Sequence, residues 1–376
     1  MKTLLRGSIH GVKDADAVLV DGDTIIWVGR GQPPDRPDEE IVAEQGEVIA
    51  PGFVDLQVNG YAGHDAAAGA DAIAAISEAL PATGVTAFLP TLISSPVEQG
   101  AAFVAAVGAA AESVGARVLG AHLEGPFINP SFRGAHARAN LVDPTPERVD
   151  VFVTARPRLV TLAPELPGAL AAIERLHRMG IVVSAGHTGA DFEQGGRAIA
   201  AGIRFGTHIY SAMPPVHHRN PGIALALLLD ARVTVGLIAD GVHVHPSVCE
   251  QVVRVKGTSR VALTTDQMSA AGSPPGNYSL AGIPVVSDGR AVRLHDGTLA
   301  GSAAKMEDLV RLMARLPGMT ATRAIELASR VPAQVLGERR LGRIRDGACA
   351  DLVVLDRDLG VRLTMVRGVV QFRRPS

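Results

Sequence analysis

Between residues 48 and 266, strand-length runs rich in Val, Ile and Leu alternate with Ala/Leu/Glu/Arg stretches of helical length. The runs are VIAPGFVDLQV (48–58), VTAFLPTLI (85–93), ARVLGAHLE (116–124), RLVTLAP (158–164), IVVSAGH (181–187), IRFGTHI (203–209), RVTVGLIAD (232–240) and RVALTTD (260–266). Such alternation marks repeated βα units, because parallel strands need a long crossover, usually a helix, to bring the chain back. Eight units predict an α/β fold with a closed (β/α)8 barrel of TIM type. The competing architecture, an open doubly wound sheet, calls for a Gly-x-Gly-x-x-Gly turn after the first strand and polar groups gathered at one switch point. Neither occurs; polar residues stand at the ends of many strands instead. With 47% hydrophobic and 20% charged residues, the chain has ample apolar side chain for a core of this size.

The period changes at both ends. Residues 1–49 hold short apolar runs, AVLV and TIIWVG, around the turn Asp21-Gly22-Asp23. The tail repeats the pattern, with LGRIRDGACADLVVLD and VRLTMVRGVVQF punctuated by Asp346-Gly347, Asp356 and Gly368. Residues 1–49 and 334–376 are therefore expected to meet in one small β-sandwich domain, with the barrel over 50–333.

Charge and cysteine usage narrow the function classes. Thirty-six Lys plus Arg against 38 Asp plus Glu leave no basic footprint for nucleic acid. Cys249 and Cys349 lie far apart without Cys-x-x-Cys spacing, so neither a disulfide framework nor a thiolate metal site is expected. The first apolar run is broken at Arg6, too early for a signal-peptide core, and no stretch of about 18 uncharged apolar residues follows. The expectation is a cytoplasmic protein with no membrane and no nucleic-acid partner.

The chemistry lies at the strand ends: Gln57 and Asn59, His122 and Glu124, His187, His208, Asp240 and His243, and Asp266. In a barrel, C-terminal strand ends converge on one pocket. Glu124, His187 and His208 give a carboxylate and two imidazoles, a ligand set for Zn2+ or a similar divalent ion that leaves a position for water. Asp266 is placed to act on that water. A lone histidine at a strand end ordinarily bonds a backbone carbonyl, but several such strand ends together favour a metal site. His122 shares the face of Glu124 by strand alternation, as a partner of the site or as a satisfied core residue.

The strings PGFVDLQVNG, HLEGPFINP, RGAH, GHTGAD, THIYSAMPP, ADGVHVHP, TTDQM and LAGSAAKM occur in this order nearly end to end. Together they resemble the N-acetylglucosamine-6-phosphate deacetylases of the amidohydrolase superfamily. The resemblance implies hydrolysis of the acetamide of N-acetylglucosamine 6-phosphate to glucosamine 6-phosphate and acetate, in amino-sugar catabolism, by a metal-activated water. It implies Glu124, His187 and His208 as metal ligands, Asp266 as catalytic acid and base, and His136 beside the acetyl carbonyl. Substrate contacts are implied for Ala135, His136, Ser211, Ala212, Arg219 at the phosphate, Asp240, Gly241, Val242 and His243, and Leu299, Ala300 and Gly301. One metal per subunit is expected, Zn2+ first and Fe2+, Mn2+ or Co2+ after it, because Gln57-Val58-Asn59 stands where many superfamily members carry His-x-His. A homodimer is implied, with Arg219 serving its own site or a neighbour's. Ser211, where the family commonly has Asn, and Gln267, where it has a small residue, leave room for another N-acyl sugar phosphate or a lyase-type reaction. A catalytically silent sugar-phosphate sensor is the reading from another class; it has no use for a metal set together with a base.

Overall fold

The computed structural model describes residues 1–375. Its centre is the expected barrel. The wall strands are Phe53–Val58, Val85–Ile93, His122–Glu124 with the short Arg117–Val118 before it, Leu159–Leu162, Val182–Ala185, Ile203–Gly206, Thr234–Leu237 and Val261–Leu263. Successive strands pair in parallel around the wall. They read as nearly continuous apolar runs, because one face meets the barrel interior and the other the helices. Helix Ala169–Arg178 shows how the outer layer attaches: Ala169, Ala172, Ile173 and Leu176 are buried at i, i+3, i+4 and i+7, with basic residues in the last turn. Helix Phe192–Ala201 starts at a capping box formed by Asp191 and Gln194.

One seam of the barrel lacks a regular ladder. Phe53–Val58 and Val261–Leu263, the first and last wall strands, are joined beyond their ends by a parallel bridge from Val58 to Gln267. There the N–H groups of Asn59 and Gly60 donate to the carbonyl of Gln267 at 2.8 and 3.2 Å.

Two expected strands are divided. VIAPGFVDLQV breaks at Gly52: Val48–Pro51 pairs antiparallel with Leu352–Leu355 in a five-stranded sheet, and only Phe53–Val58 enters the barrel. A Cβ at Gly52 would collide with the Thr86 side chain, so the chain crosses between the two sheets where it has no side chain. ARVLGAHLE is interrupted between Val118 and His122.

The chain ends do come together. Lys2–Arg6, Ala17–Asp21, Thr24–Gly29 and Glu39–Val42 form a four-stranded sheet, while Ser8–Ile9, Val48–Pro51, Leu352–Leu355, Val361–Val366 and Val369–Arg373 form the five-stranded one. Leu5, Val18, Val20 and Ile25 pack with Ile49, Leu352, Val354 and Met365 in one apolar cluster. A buried ion pair ties this unit to the barrel. Arg117 reaches Asp351 through Nε at 2.7 Å and Nη2 at 3.2 Å, and Asp351 also accepts from the Arg367 N–H at 2.8 Å. Asp351 is only 2% exposed, so removing it strands a guanidinium in a half-dry place. Asp351→Ala is expected to cost about 3–5 kcal/mol, read from the urea midpoint; a change below about 1 kcal/mol would show that water already satisfies Arg117.

Candidate active site

His187, His208 and Asp266 sit just past their strands with φ of +48°, +28° and +50°. Left-handed backbone is unfavourable for residues with a Cβ and persists where surroundings hold it, commonly at functional sites. At Asp266 the hold is visible: the Ser302 N–H donates to its carbonyl at 2.8 Å, and the Ser302 hydroxyl donates to the carbonyl of Thr265 at 2.6 Å. Gly301 makes the approach possible, since a Cβ there would stand 2.9 Å from the Asp266 oxygen.

Glu124 is the centre. Its Oε1 lies 2.9 Å from Nε2 of His208 and 3.2 Å from Nε2 of His187, and it accepts from the Gln57 amide at 2.9 Å. Its Oε2 is 3.6 Å from Nε2 of His136. Burial opposes its charge, yet the three imidazoles win and hold its pKa well below the ordinary value. By distance alone Glu124, His136 and His187 form a potential metal set, with ligand atoms within 4.8 Å of one another.

Ring tautomers separate the imidazoles. Nδ1 of His187 lies 2.9 Å from the carbonyl of Phe132, which only accepts, so Nδ1 carries a proton and Nε2 is the nitrogen turned to Glu124. His136 is reversed. Its Nδ1 accepts from the Ser94 backbone N–H at 3.1 Å, with the Ser94 hydroxyl 2.7 Å away. Burial and the neighbouring His187 push the His136 pKa down to about 4, so the ring is neutral near pH 7 and carries its proton on Nε2. That nitrogen donates; it has no lone pair for a metal. His208 directs Nε2 at Glu124 and packs edge-on against His187, ring centroids 4.9 Å apart. The donors present fit a divalent cation: the Glu124 carboxylate, Nε2 of His187, and His208, whose buried Nδ1 has no partner and whose Nε2 lies against Glu124, with the N–H of His136 beside them.

Asp266 is 9% exposed and accepts from the Asn59 amide through Oδ1 at 2.8 Å. Burial and the charge of Glu124 push its pKa up to about 6, against the pull of His208 and His243. Asp240 accepts from the N–H groups of Val242 and His243, both at 2.8 Å, and its Oδ2 is 2.7 Å from Nδ1 of His243, which it orients. His122 is a satisfied core residue, Nδ1 at 3.1 Å from the carbonyl of Leu56 and Nε2 at 2.8 Å from the Thr161 hydroxyl.

Asn59, Glu124, His136, His187, His208 and Asp266 face one cavity of about 500 Å3, which Asp240 and His122 do not line. Ala135, His136, Ser211, Ala212, His243, Leu299 and Gly301 line it as expected, alongside Glu124, His187, His208 and Asp266. Gly241, Val242 and Ala300 adjoin lining residues in sequence without lining the cavity themselves. Arg219 does not line the cavity: it is exposed, with Nη1 2.7 Å from Nε2 of His218. Arg293 lines the cavity instead, its Nη1 donating to the carbonyl of Gly297 at 2.9 Å. Sequence reasoning missed Arg293 because it lies in a hairpin region, Gly276–Ser302, outside the βα pattern. A larger recess of about 640 Å3 near Phe103 and Ala281 has only Asp65 as an ionisable lining group, and Asp65 is already bonded to the N–H groups of Ala67 and Ala281.

Residues 48–370 match the amidohydrolase family, and the chain belongs to it. Within it the chain stands among the N-acetylglucosamine-6-phosphate deacetylases. The bovine N-acetylglucosamine-6-phosphate deacetylase is 38% identical over 369 residues, covering 91% of this chain and 90% of that one. An N-acetylgalactosamine-6-phosphate deacetylase of Escherichia coli O157:H7 is 35% identical over 335 residues, covering 87% and 89%. Among solved structures, an aspartate-to-alanine variant of the Mycobacterium smegmatis N-acetyl-D-glucosamine-6-phosphate deacetylase in complex with N-acetyl-D-glucosamine-6-phosphate superposes with a TM-score of 0.91 at 34% identity over 99% of each chain.

Proposed function

We propose that this protein hydrolyses N-acetylglucosamine 6-phosphate to glucosamine 6-phosphate and acetate, with Glu124, His187 and His208 holding one divalent cation, Zn2+ first. The observation that carries the reading is the convergence of these ligands with Asp266 and a protonated Nε2 of His136 on one cavity. A cation there supplies Lewis-acid polarisation of the amide carbonyl and lowers the pKa of water. Asp266, fixed through Oδ1 by Asn59, takes a proton from the attacking water on Oδ2 and later delivers one to the departing amine, which leaves poorly as an anion. His136 donates from Nε2 to the acetyl oxygen as negative charge grows there, a contact worth roughly 3 kcal/mol. Two unpaired buried cysteines and the absence, among the described residues, of any helix long and apolar enough to cross a membrane are in keeping with a cytoplasmic placement. We read the working form as a homodimer, in which the exposed Arg219 has a neighbouring site to serve.

N-acetylgalactosamine 6-phosphate is the second reading, favoured by the Escherichia coli relative. Acetate release from both sugar phosphates and from unphosphorylated N-acetylglucosamine decides among the readings. Preference for the glucosamine epimer is expected; preference for the other epimer would change the substrate, and no turnover by metal-replete protein that binds the sugar would favour the sensor.

The phosphate contact has two candidates, and a substitution cycle separates them. Charge-assisted bonds to an anion contribute roughly 1.5–3 kcal/mol, so the variant that removes the contact should lose at least tenfold in kcat/KM on the phosphorylated sugar and little on the plain one. Arg219→Ala is expected to show this selective loss. Selective loss in Arg293→Ala alone would move phosphate recognition to the hairpin, and equal losses on both sugars would assign either arginine to loop support.

A further inference from the structure

We propose that Asp55 is a positioning residue for Asp266, clasping the open seam of the barrel so that Asp266 and Asn59 meet in register. The inference rests on the proposed function only for the reaction in which Asp266 acts.

Asp55 is fully buried, four residues before Asn59 on the first wall strand. Its carboxylate accepts four hydrogen bonds. Oδ1 takes the N–H of Gln57 at 3.2 Å, the hydroxyl of Thr264 at 3.1 Å and the N–H of Thr265 at 3.2 Å; Oδ2 takes the hydroxyl of Thr265 at 2.5 Å. Three of the four come from the far side of the seam, from the segment that follows the last wall strand. A buried peptide N–H needs an acceptor, and along a regular ladder a carbonyl of the next strand provides it. At this seam the ladder is missing, and the carboxylate takes the place of the carbonyls.

The clasp ends where the chemistry begins. Thr265 is the residue before Asp266, and its hydroxyl also accepts from the N–H of Gln267 at 3.2 Å, so it spans the left-handed turn at Asp266. On the opposite side, the strand that carries Asp55 presents Gln57 to Glu124 and Asn59 to Asp266. One carboxylate thus fixes the relative height of both strands and, through them, the distance between Asp266 and the ligand cluster. Every partner of Asp55 donates in this arrangement, which favours the ionised carboxylate against the burial that pushes its pKa up to about 6, and losing the acceptor at Oδ1 removes the bonds from the N–H groups of Gln57 and Thr265.

The test uses metal-replete full-length protein with Asp55→Asn, Asp55→Ala and Thr265→Val. Asn keeps an oxygen for the Oδ1 bonds, whereas Thr265→Val removes the hydroxyl from a side chain of nearly the same shape. A displacement of about 1 Å in a reacting group costs up to roughly a hundredfold in rate, so kcat should fall by about 10- to 100-fold in Thr265→Val and Asp55→Asn. KM should stay within about threefold and the metal content should not change, because neither ligands nor sugar contacts are touched. The acidic midpoint of the kcat profile should move, since Asp266 loses its fixed distance from Asn59 and Glu124. Asp55→Ala should be worse than Asp55→Asn. Amide hydrogen exchange over 264–268 should be faster than in wild type, a readout that needs no substrate. Unchanged kcat per metal site with only a lower melting temperature would overturn the proposal and leave Asp55 as a stability residue. Should Asp55→Ala fail to fold, Thr265→Val decides alone. Loss of the proposed function shows differently: wild-type protein would then fail to release acetate while hydrogen exchange still reported the clasp.

Discussion

Asp266→Asn is expected to lower kcat by roughly a hundred- to ten-thousandfold while metal content and sugar-phosphate affinity stay near wild type. The substitution keeps the size of the side chain and its bond from Asn59, and removes the group that accepts and returns the proton. Stopped assays that follow acetate, with metal content measured on the same sample, check it. Near-normal turnover in the variant would reject Asp266 as the base. The wild-type pH profile carries the same claim. Asp266 must be ionised to take a proton, so kcat/KM should rise as pH climbs through its pKa. Burial and Glu124 place that pKa at about 6, and a cation held by Glu124 opposes the second cause, so the midpoint should fall below 6. His136, already neutral with a pKa near 4, should add no limb between pH 6 and 8.

Chelation is expected to abolish turnover and leave the fold in place. The cluster around Glu124 caps a barrel whose own core runs from Phe53 and Phe88 through Val160, Phe205 and Leu263, all at most 1% exposed. A structural metal is needed for folding only where the core is too small to stand without it, and this one is not. Circular dichroism and acetate release on one sample separate the two effects. Activity should return on adding Zn2+, Mn2+, Fe2+ or Co2+ to differing extents, because a mixed carboxylate and imidazole set accepts each of them. Full activity in protein shown to be metal-free would reject the cation; collapse of the dichroism spectrum on chelation would show that it holds the fold as well.

The barrel was legible because its signal is carried by the chain itself: length of apolar run, length of helix, and polar residues at the run ends. The convergence of Glu124, His187, His208 and Asp266 on one cavity was legible for the same reason, since topology alone brings strand ends together. What lay outside that signal depends on partners remote in sequence. Asp55 reads as an incidental acid within an apolar strand until Thr264 and Thr265 are seen across the seam. Nothing near Ser94 in sequence discloses that its N–H sets the tautomer of His136, 42 residues away. The break at Gly52 follows from a close approach to Thr86 in another strand, invisible to any local pattern. Asp240 carries the expected residue type at a strand end, but its bonds to His243 three residues on appear only in the hydrogen-bond geometry.

The measurement that bears most directly on the whole account is a crystal structure of Asp266→Asn with N-acetylglucosamine 6-phosphate and metal, recorded at the metal's absorption edge. The account predicts one anomalous peak bounded by Glu124, Nε2 of His187 and Nε2 of His208, with the acetyl oxygen of the sugar within hydrogen-bond distance of Nε2 of His136. A peak ligated by His136 in place of His208, or a sugar phosphate bound away from this cluster, would contradict it.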